Sequence, residues 1–204
     1  IMNPISGTSS KAAVPSLIDS TLDKEQFEYE IKMTERPGHA SELAAEARDN
    51  HADIVVAVGG DGTVNEVARS LVHSDSALGI LPCGSGNGLA RHLLLPMNLK
   101  KSIEIINACK IHDLDYGVIN EYPFFCTCGM GFDAFVSMKF AESGKRGPIS
   151  YAENILREGL KYEPETYTLE DETGTKQYKA FLISCANASQ YGNNAYIAPQ
   201  ASMS

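Results

Sequence analysis

Two glycine-rich segments hold the residues of this chain that are best suited to chemistry. They are Gly59-Gly60-Asp61-Gly62-Thr63 and Cys83-Gly84-Ser85-Gly86-Asn87-Gly88, each between an apolar run and a helical pattern. Glycine lets the backbone approach a ligand closely, and the free N–H groups at a helix N-terminus attract anions. One such turn is weak support, because tight turns also use glycine for structural reasons. Two of them, with Asn3-Pro4-Ile5-Ser6-Gly7 as a candidate third loop, predict a phosphate-binding site.

Asp61 is the residue of the first segment that glycine geometry does not explain. A carboxylate beside polyphosphate is repelled unless it holds a metal ion or meets an incoming hydroxyl group. Both roles belong to phosphoryl transfer. The structural alternative is an Asx-type turn, in which the side chain bonds the local backbone. Thr63 and Glu66 also have a structural alternative, because Thr-x-x-Glu before an apolar helix is a capping box.

Several well-known site motifs are absent from the sequence. There is no G-x-x-x-x-G-K-[ST], which excludes a P-loop enzyme. The glycine spacing at residues 84–88 differs from the G-x-G-x-x-G of dinucleotide-binding folds, and neither G-x-S-x-G nor H-E-x-x-H occurs. The two glycine-rich segments therefore belong to another kind of phosphate site.

Composition narrows the class of protein further. The chain has 204 residues, 43% of them hydrophobic, which is enough for one large or two small domains. Its formal net charge of −9 argues against a nucleic-acid-binding protein, because phosphate contacts need a surplus of Lys and Arg. The five cysteines show no metal-type pairing, which favours reduced, buried thiols in a cytoplasmic protein. Neither a signal peptide nor a membrane-spanning apolar run occurs, so we expect any lipid contact to be peripheral.

The first half of the chain alternates strand and helix patterns, which predicts a mostly parallel sheet covered on both faces. Continuous apolar runs at residues 53–58 and 77–81 are typical of buried parallel strands. The alternation at residues 27–33 predicts an edge strand. Helical patterns lie at residues 39–50, 63–72 and 99–108, and from residue 88 to before Pro96. Each glycine-rich segment therefore joins a strand to a helix.

After about residue 110 the pattern becomes richer in strands. We predict strands at residues 114–119, 122–129, 167–172 and 178–186, and helices at residues 133–140 and 149–159. The acidic run within residues 163–172 is interpreted as a solvated hairpin. The chain is therefore predicted to hold two domains, an α/β domain at residues 1–110 and a β-rich domain at residues 111–204.

Five motifs, in the correct order, resemble those of the diacylglycerol kinase and sphingosine kinase family. They lie at residues 3–7 (NPxSG), 34–40 (T-x-x-x-x-H-A), 59–66 (GGDGT-x-x-E), 81–87 (LPxGTxN) and 129–134 (G-x-G-x-D-A). Ser85 replaces the usual Thr of the fourth motif. GGDGT alone is not specific, because NAD kinases and phosphofructokinases carry a similar turn. The full set, which covers essentially the whole chain, favours the lipid kinases.

The resemblance implies a Rossmann-like nucleotide-binding domain, a β-sandwich lipid-binding domain, and phosphorylation of a lipid hydroxyl, such as that of diacylglycerol, by Mg2+ and ATP. Asp61 would be the acid nearest the transferred phosphoryl group. The lipid headgroup would approach Asp133, with Lys145 and Arg146 placed where the family often directs basic residues at phosphate. A helix N-cap and a solvated basic turn are the structural alternatives for these three residues. The residues implied in nucleotide binding are Asn3, Ser6, Gly7, Thr34, Gly59, Gly60, Asp61, Gly62, Thr63, Val64, Asn65, Glu66, Gly84, Ser85, Gly86 and Asn87.

Two other functions stay open at this point, a kinase with a soluble acceptor such as NAD and a non-catalytic ATP-binding module. Residues 196–204 resemble the stretch just before the family's DG-x-L-D-V segment. In bacterial members that later part carries a further acid proposed as base and a structural metal site. We therefore expect this chain to hold the nucleotide site without the full catalytic apparatus, and its metal ligands stay unassigned.

Overall fold

Parallel strands lie at the centre of the first part of the chain. In a computed structural model, which describes residues 1–7, 11–132, 134–135, 138, 159 and 162–203, β1 (Ile54–Gly59) pairs with β2 (Ala77–Pro82). The register runs in parallel from Ile54 opposite Ala77 to Gly59 opposite Pro82. Met2 adds a parallel bridge to Val58 and another to Met33. The chain segments that end at Met2, Gly59 and Pro82 thus run in one direction.

Helices cover both faces of these strands. They are α1 (Val14–Thr21), α2 (His39–Asp49), α3 (Asp61–Leu71), α4 (Gly88–His92) and α5 (Leu99–Asn107). One buried cluster packs α2 and α3 against Val55, Ala57 and Ile80, and a second packs α1 and α5 against Val58 and Leu81. Because successive strand residues point to opposite faces, β1 is buried on both sides, as its continuous apolar run predicts.

The chain divides into two units. The first contains Ile1–Cys126 and Asn187–Ser204, and the second contains Thr127–Ala186. In the first unit, β3 (Gly117–Ile119) and β4 (Tyr122–Phe124) form an antiparallel pair. In the second unit, β5 (Thr127–Gly131) pairs in antiparallel fashion with β8 (Leu182–Ala186), and β6 (Glu165–Asp171) pairs with β7 (Gly174–Ala180). The predicted α/β class, with a parallel sheet first and a strand-rich region after it, is confirmed. The domain division at residues 110 and 111 stays a prediction.

The structure corrects several predicted elements of the first unit. The edge strand predicted at residues 27–33 is wrong, because Met33 alone forms a bridge there and its neighbour, Met2, offers a single residue for pairing. Helix α1 was not predicted. Helix α3 begins at Asp61, two residues before the predicted start. The prediction of buried cysteines is wrong for Cys109 and, in the second unit, for Cys185, which are both exposed.

In the strand-rich region, two predicted strands are each divided into two. The strand predicted at residues 122–129 is divided between β4 and β5, which belong to different strand pairs. The strand predicted at residues 178–186 is divided between β7 and β8. The helices predicted at residues 133–140 and 149–159 fall almost entirely outside the described residues. Within the described part of the chain, no helix combines the length and the apolar character needed to cross a membrane.

Candidate functional site: three loops at one end of the parallel strands

The three predicted loops begin at the same edge of the sheet. Residues 59–63 follow β1 and residues 83–87 follow β2, whose last residues, Gly59 and Pro82, lie opposite each other. Residues 3–7 follow Met2, which pairs in parallel with Val58 next to the end of β1. In open α/β sheets, ligands bind outside the carboxyl ends of the strands. We call these three loops (residues 3–7, 59–63 and 83–87) the loop edge.

Direct backbone contacts hold the loop edge together. The N–H of Cys83 donates to the carbonyl of Gly59 over 2.7 Å. A Cβ atom on Gly60 would lie 3.0 Å from the Cα of Gly84. Gly7 has a left-handed backbone with φ of 69°, and a side chain there would overlap the carbonyl of Cys83. Side chains at these glycines would therefore separate the loops.

Asn3 joins the first loop to the start of α3. Its Nδ2 donates to Oγ1 of Thr63 over 3.2 Å, and its backbone N–H donates to the carbonyl of Val58 over 3.1 Å. The Thr63 side chain is buried and packs where a Cβ on Gly59 would stand, 2.5 Å away. The predicted capping box of Thr63 and Glu66 is wrong, because α3 begins at Asp61 and Thr63 lies inside the helix.

The carboxylate of Asp61 reaches from the second loop to the third. Oδ2 accepts from the N–H of Asn87 over 2.8 Å, and Oδ1 accepts from the N–H of Gly88 over 2.6 Å. Both oxygens therefore bond residues far along the chain, and not the local turn offered as the structural alternative. Asp61 is exposed as a residue, yet burial around its carboxylate raises its pKa, and the backbone N–H groups oppose that rise.

Cys126 lies close to this carboxylate. Burial, and secondly the charge of Asp61, raise the pKa of the Cys126 thiol to about 12. The thiol therefore stays neutral near pH 7 and offers no thiolate nucleophile. Its Sγ contacts the carbonyl of Gln190 at 3.1 Å and lies 3.1 Å from the position of a Cβ on Gly88.

Asn87 fixes the conformation of the third loop. Its backbone is left-handed, with φ of 54°, a conformation that Asn tolerates better than most residues. Its Oδ1 accepts from the N–H of Gly84 and its Nδ2 donates to the carbonyl of Gly84, each over 2.9 Å. The side chain is thus used within the loop, and the peptide N–H of Asn87 goes to Asp61.

A segment from the end of the chain packs on the third loop. Gly192 forms an antiparallel bridge with Asn87, and the N–H of Asn193 donates to the carbonyl of Gly86 over 3.2 Å. A Cβ on Gly192 would lie 2.6 Å from the carbonyl carbon of Gly86. Residues that come after the second unit in sequence therefore complete the loop edge of the first unit.

A cavity of about 320 Å³ lies beside the third loop. Its lining includes the loop residues Cys83, Gly84, Ser85 and Asn87, and two cationic residues, Lys11 and Arg91. Sequence reasoning missed both cations. Lys11 is 7% exposed and its Nζ donates to the carbonyl of Ser6, and Arg91 donates from Nε to the carbonyl of Gly86 over 3.0 Å. Their positions in the sequence could have indicated them, since Lys11 follows the first loop by four residues and Arg91 lies in the helix that begins after the third loop.

The remaining predicted nucleotide contacts differ in what they can offer. Gly62 and Ser85 are exposed, Asn65 is half-buried, and Ser6 is buried with its hydroxyl bonded to the carbonyl of Asn3. The Val64 side chain is 6% exposed and lies in the core, so it can offer a ligand only its backbone.

Thr34 and Glu66 bond segments outside the loop edge. Thr34 is 9% exposed, and its N–H donates to the carbonyl of Met2 over 2.9 Å. Glu66 bonds the start of α2 and not the loop edge. Asp133, Lys145 and Arg146 lie outside the described residues. Among the described residues, no group of three His, Cys, Asp or Glu side chains is arranged to hold a metal ion.

Known families match both parts of the chain. Residues 1–119 match the family described as the diacylglycerol kinase catalytic domain, and residues 126–204 match the YegS C-terminal NAD kinase beta sandwich-like domain. An α/β unit with glycine loops at the strand ends is thus followed by a sandwich-like part. The chain belongs to the diacylglycerol kinase catalytic domain family, and the family resemblance drawn from the sequence is confirmed.

Individual relatives carry lipid-kinase names. The chain is 29% identical over 187 residues to the probable lipid kinase YegS of Escherichia fergusonii, covering 88% of this chain and 62% of the relative. It is 30% identical over 179 residues to a putative lipid kinase of Streptococcus pneumoniae, covering 85% and 60%. The chain therefore spans about three fifths of the length of these relatives.

A solved structure supports the fold. The chain superposes on a putative diacylglycerol kinase from Bacillus anthracis with a TM-score of 0.74 and 21% identity, over 98% of this chain and 69% of that one. At that identity the likeness supports the architecture and not the reaction.

Proposed function

We propose that this chain is part of an ATP-dependent lipid kinase that transfers the γ-phosphate to a lipid hydroxyl, with diacylglycerol or a related lipid as acceptor. Family membership and the names of the relatives support a lipid kinase. The loop edge supports ATP as the donor, because three loops bring backbone N–H groups to one end of a parallel sheet.

The observation that carries the proposal is the open space at Gly62. This glycine lies in the first turn of α3, has no left-handed φ, and a Cβ built on it would meet no described atom within 4 Å. Nothing in the packing of the described residues requires glycine there, although glycine costs a helix up to about 1 kcal/mol relative to Ala. A phosphate that approaches the helix N-terminus closely accounts for the choice.

The nucleotide contacts are proposed for the three loops, with Thr34 and Asn65 beside them. Lys11 and Arg91, which line the cavity with Ser85, are proposed to offset phosphate charge. Their positive charges stand out in a chain of net charge −9. Because phosphoryl transfer needs little covalent chemistry from the protein, positioning and charge neutralisation would supply most of the rate.

Asp61 is proposed as the acid that orients the incoming hydroxyl or the Mg2+ that accompanies ATP. Its two oxygens accept from the backbone N–H groups of Asn87 and Gly88, which fix the carboxylate between the second and third loops. Mg2+ usually keeps several waters and binds substrate phosphates with one or two carboxylates. A single protein carboxylate fits that pattern.

The acceptor side of the reaction stays a proposal from family membership. Asp133 is proposed to lie near the lipid headgroup, and residues 111–204 to form the lipid-binding domain. The protein is proposed to be cytoplasmic and to contact the membrane peripherally, in phospholipid metabolism. Its charge of −9 makes a purely electrostatic attachment to anionic lipid unfavourable.

The test uses the complete gene product with labelled ATP, Mg2+ and mixed micelles of diacylglycerol, monoacylglycerol, a sphingoid base or phosphatidylglycerol. A parallel reaction offers NAD without lipid. We expect label in one lipid, loss of that label in Asp61→Asn, and normal activity in Glu104→Ala, which changes an exposed residue of α5. Circular dichroism checks that each variant is folded.

Label in NAD would replace the lipid-kinase proposal with a soluble-acceptor kinase, a possibility raised by the family description of residues 126–204. ATP binding without transfer to any acceptor would instead identify a non-catalytic ATP-binding module.

A further inference from the structure

The carboxylate of Glu66 bonds the start of a neighbouring helix. Oε1 accepts from the N–H of Gly38 and Oε2 accepts from the N–H of Ala40, each over 3.2 Å. The first N–H groups of a helix have no partner within the helix. Gly38, with a left-handed φ of 80°, has no side chain that could cap α2. Glu66 therefore supplies from α3 the cap that a local Ser, Thr or Asp gives in most helices.

The backbone around this cap is held closely. Ser41 donates from Oγ to the carbonyl of Glu66 over 2.9 Å, and Ser70 donates from Oγ to the carbonyl of Ser41 over 2.9 Å. Ala40 and Ala44 are 1% and 0% exposed, so small residues let α2 approach the core. The Glu66 carboxylate thus sits in a fixed frame between α2 and α3.

The same cap fixes the turn that carries Thr34. At one end of this turn, the N–H of Thr34 donates to the carbonyl of Met2 over 2.9 Å. At the other end stand Gly38 and Ala40, held by Glu66. Inside the turn, the N–H of Glu35 donates to Nδ1 of His39 over 3.1 Å. Both ends of the turn are therefore attached to segments that lead into the loop edge.

The charge of Glu66 is also better placed at α2 than at a phosphate. A carboxylate facing polyphosphate is repelled, whereas the N-terminus of a helix stabilises negative charge. Glu66, the second acid of the motif at residues 59–66, is therefore bonded to the start of α2 and needs no contact with the ligand.

We propose that Glu66 is a positioning residue for nucleotide binding, which fixes residues 34–38 on α3 and so places Thr34 at the site without touching the nucleotide. This inference rests on the proposed function, because Thr34 matters here as an ATP contact. It replaces the direct nucleotide contact that the sequence motif suggests for Glu66.

A double-mutant cycle separates action through the turn from direct contact. We would measure the ATP dissociation constant by calorimetry, and KM and kcat in the micelle assay, for wild type, Glu66→Ala, Thr34→Ala and the double variant. Loss of a helix cap predicts that Glu66→Ala weakens ATP binding about five- to tenfold with kcat nearly unchanged. In the Thr34→Ala background, Glu66→Ala should weaken binding less than about twofold.

Two further variants and one ligand-free measurement complete the test. Glu104→Ala removes an exposed carboxylate of α5 that has no part in this cap, so ATP affinity should stay at the wild-type value. Glu66→Gln keeps one carbonyl acceptor and should lose only part of the affinity. Amide hydrogen exchange should quicken at Gly38 and Ala40 in Glu66→Ala, without any nucleotide present.

The outcomes distinguish this inference from the proposed function. Fully additive losses in the cycle, or unchanged exchange at Gly38 and Ala40, would overturn the positioning role while ATP binding by the wild type stands. A wild-type protein that binds no ATP would overturn the proposed function, and this inference with it.

Discussion

The β1–β2 pair and the β6–β7 hairpin have ladders of similar length but differ in burial. The first has six register pairs and the second has seven. The final three residues of both β1 and β2 are buried, whereas β6 and β7 are exposed at nearly every position. The loops after β1 and β2 contact one another through backbone and glycine, while a Cβ on Gly174 of the hairpin would meet no described atom within 4 Å. Strand pairing alone therefore does not mark a site. Burial and contact between loops do.

The largest contrast is expected between two glycine substitutions. Gly84→Ala would place a methyl group 2.7 Å from Oδ1 of Asn87 and against the Cα of Gly60. Overpacking of this kind costs about 1–3 kcal/mol, and separation of the loops should abolish ATP binding. Gly174→Ala meets only strain from its φ of 122°, about 1–3 kcal/mol, and should leave ATP affinity unchanged. Urea unfolding and calorimetry measure both quantities, and equal effects on ATP binding would contradict the comparison.

A second substitution should separate stability from ligand binding inside the loop edge. Gly62→Ala fits the open space and should raise the free energy of unfolding by up to about 1 kcal/mol, through better helix propensity. It should weaken ATP binding by about tenfold or more, because a methyl group stands where a phosphate approaches. A variant that is stabilised and still binds ATP normally would show that Gly62 has no part in binding.

The pH dependence of stability should carry a contribution from Asp61. Burial raises the pKa of this carboxyl group, so the folded protein keeps the proton at a pH where the unfolded chain has released it. The contribution of Asp61 to the free energy of unfolding should therefore fall as pH rises from the ordinary aspartate value to the raised pKa. Urea unfolding from pH 3 to pH 7 measures this contribution as the free energy of unfolding of the wild type minus that of Asp61→Asn. This difference should decrease as pH rises. An increase of this difference across that range would contradict a raised pKa of Asp61 in the folded protein.

The smallest effect is expected on the exposed hairpin. Leu169→Thr changes a side chain that is 47% exposed on β6 and places there a β-branched residue, a type that strands favour. Surface substitutions of this kind usually change stability by less than about 0.5 kcal/mol, and ATP affinity should not change. A loss of ATP binding in this variant would show that the hairpin contributes to the site.

Local patterns in the sequence predicted the parts of the fold that depend on neighbouring residues. The apolar runs and the 3.6-residue periodicities gave β1, β2, α2 and α3 nearly to their ends. The acidic run gave the exposed β6–β7 hairpin. The alternation at residues 27–33 misled, because alternation describes a strand only when a neighbouring segment pairs along its length, and here Met2 alone does so.

The sequence predicted that the three loops belong together, and the structure brings them to one edge of the sheet, but their contacts were not predicted. The glycine segments identified the loops, yet Asp61 bonds residues 26 and 27 positions away, and Glu66 bonds residues 28 and 26 positions away. Such partners depend on how β1, β2 and α2 pack, which no local spacing encodes. Lys11 and Arg91 were missed for the same reason, since a cation is recognised as part of a site only when its neighbours in space are known.

The measurement that tests the account most directly is an amide NMR titration of the 15N-labelled protein with Mg2+ and ATP. If ATP binds at the loop edge, the largest shift changes should fall at residues 59–63 and 83–87, with smaller changes at residues 34–38. Residues of the β6–β7 hairpin should not move. Shift changes confined to other parts of the chain, or none at saturating ATP, would contradict a nucleotide site at the ends of the parallel strands.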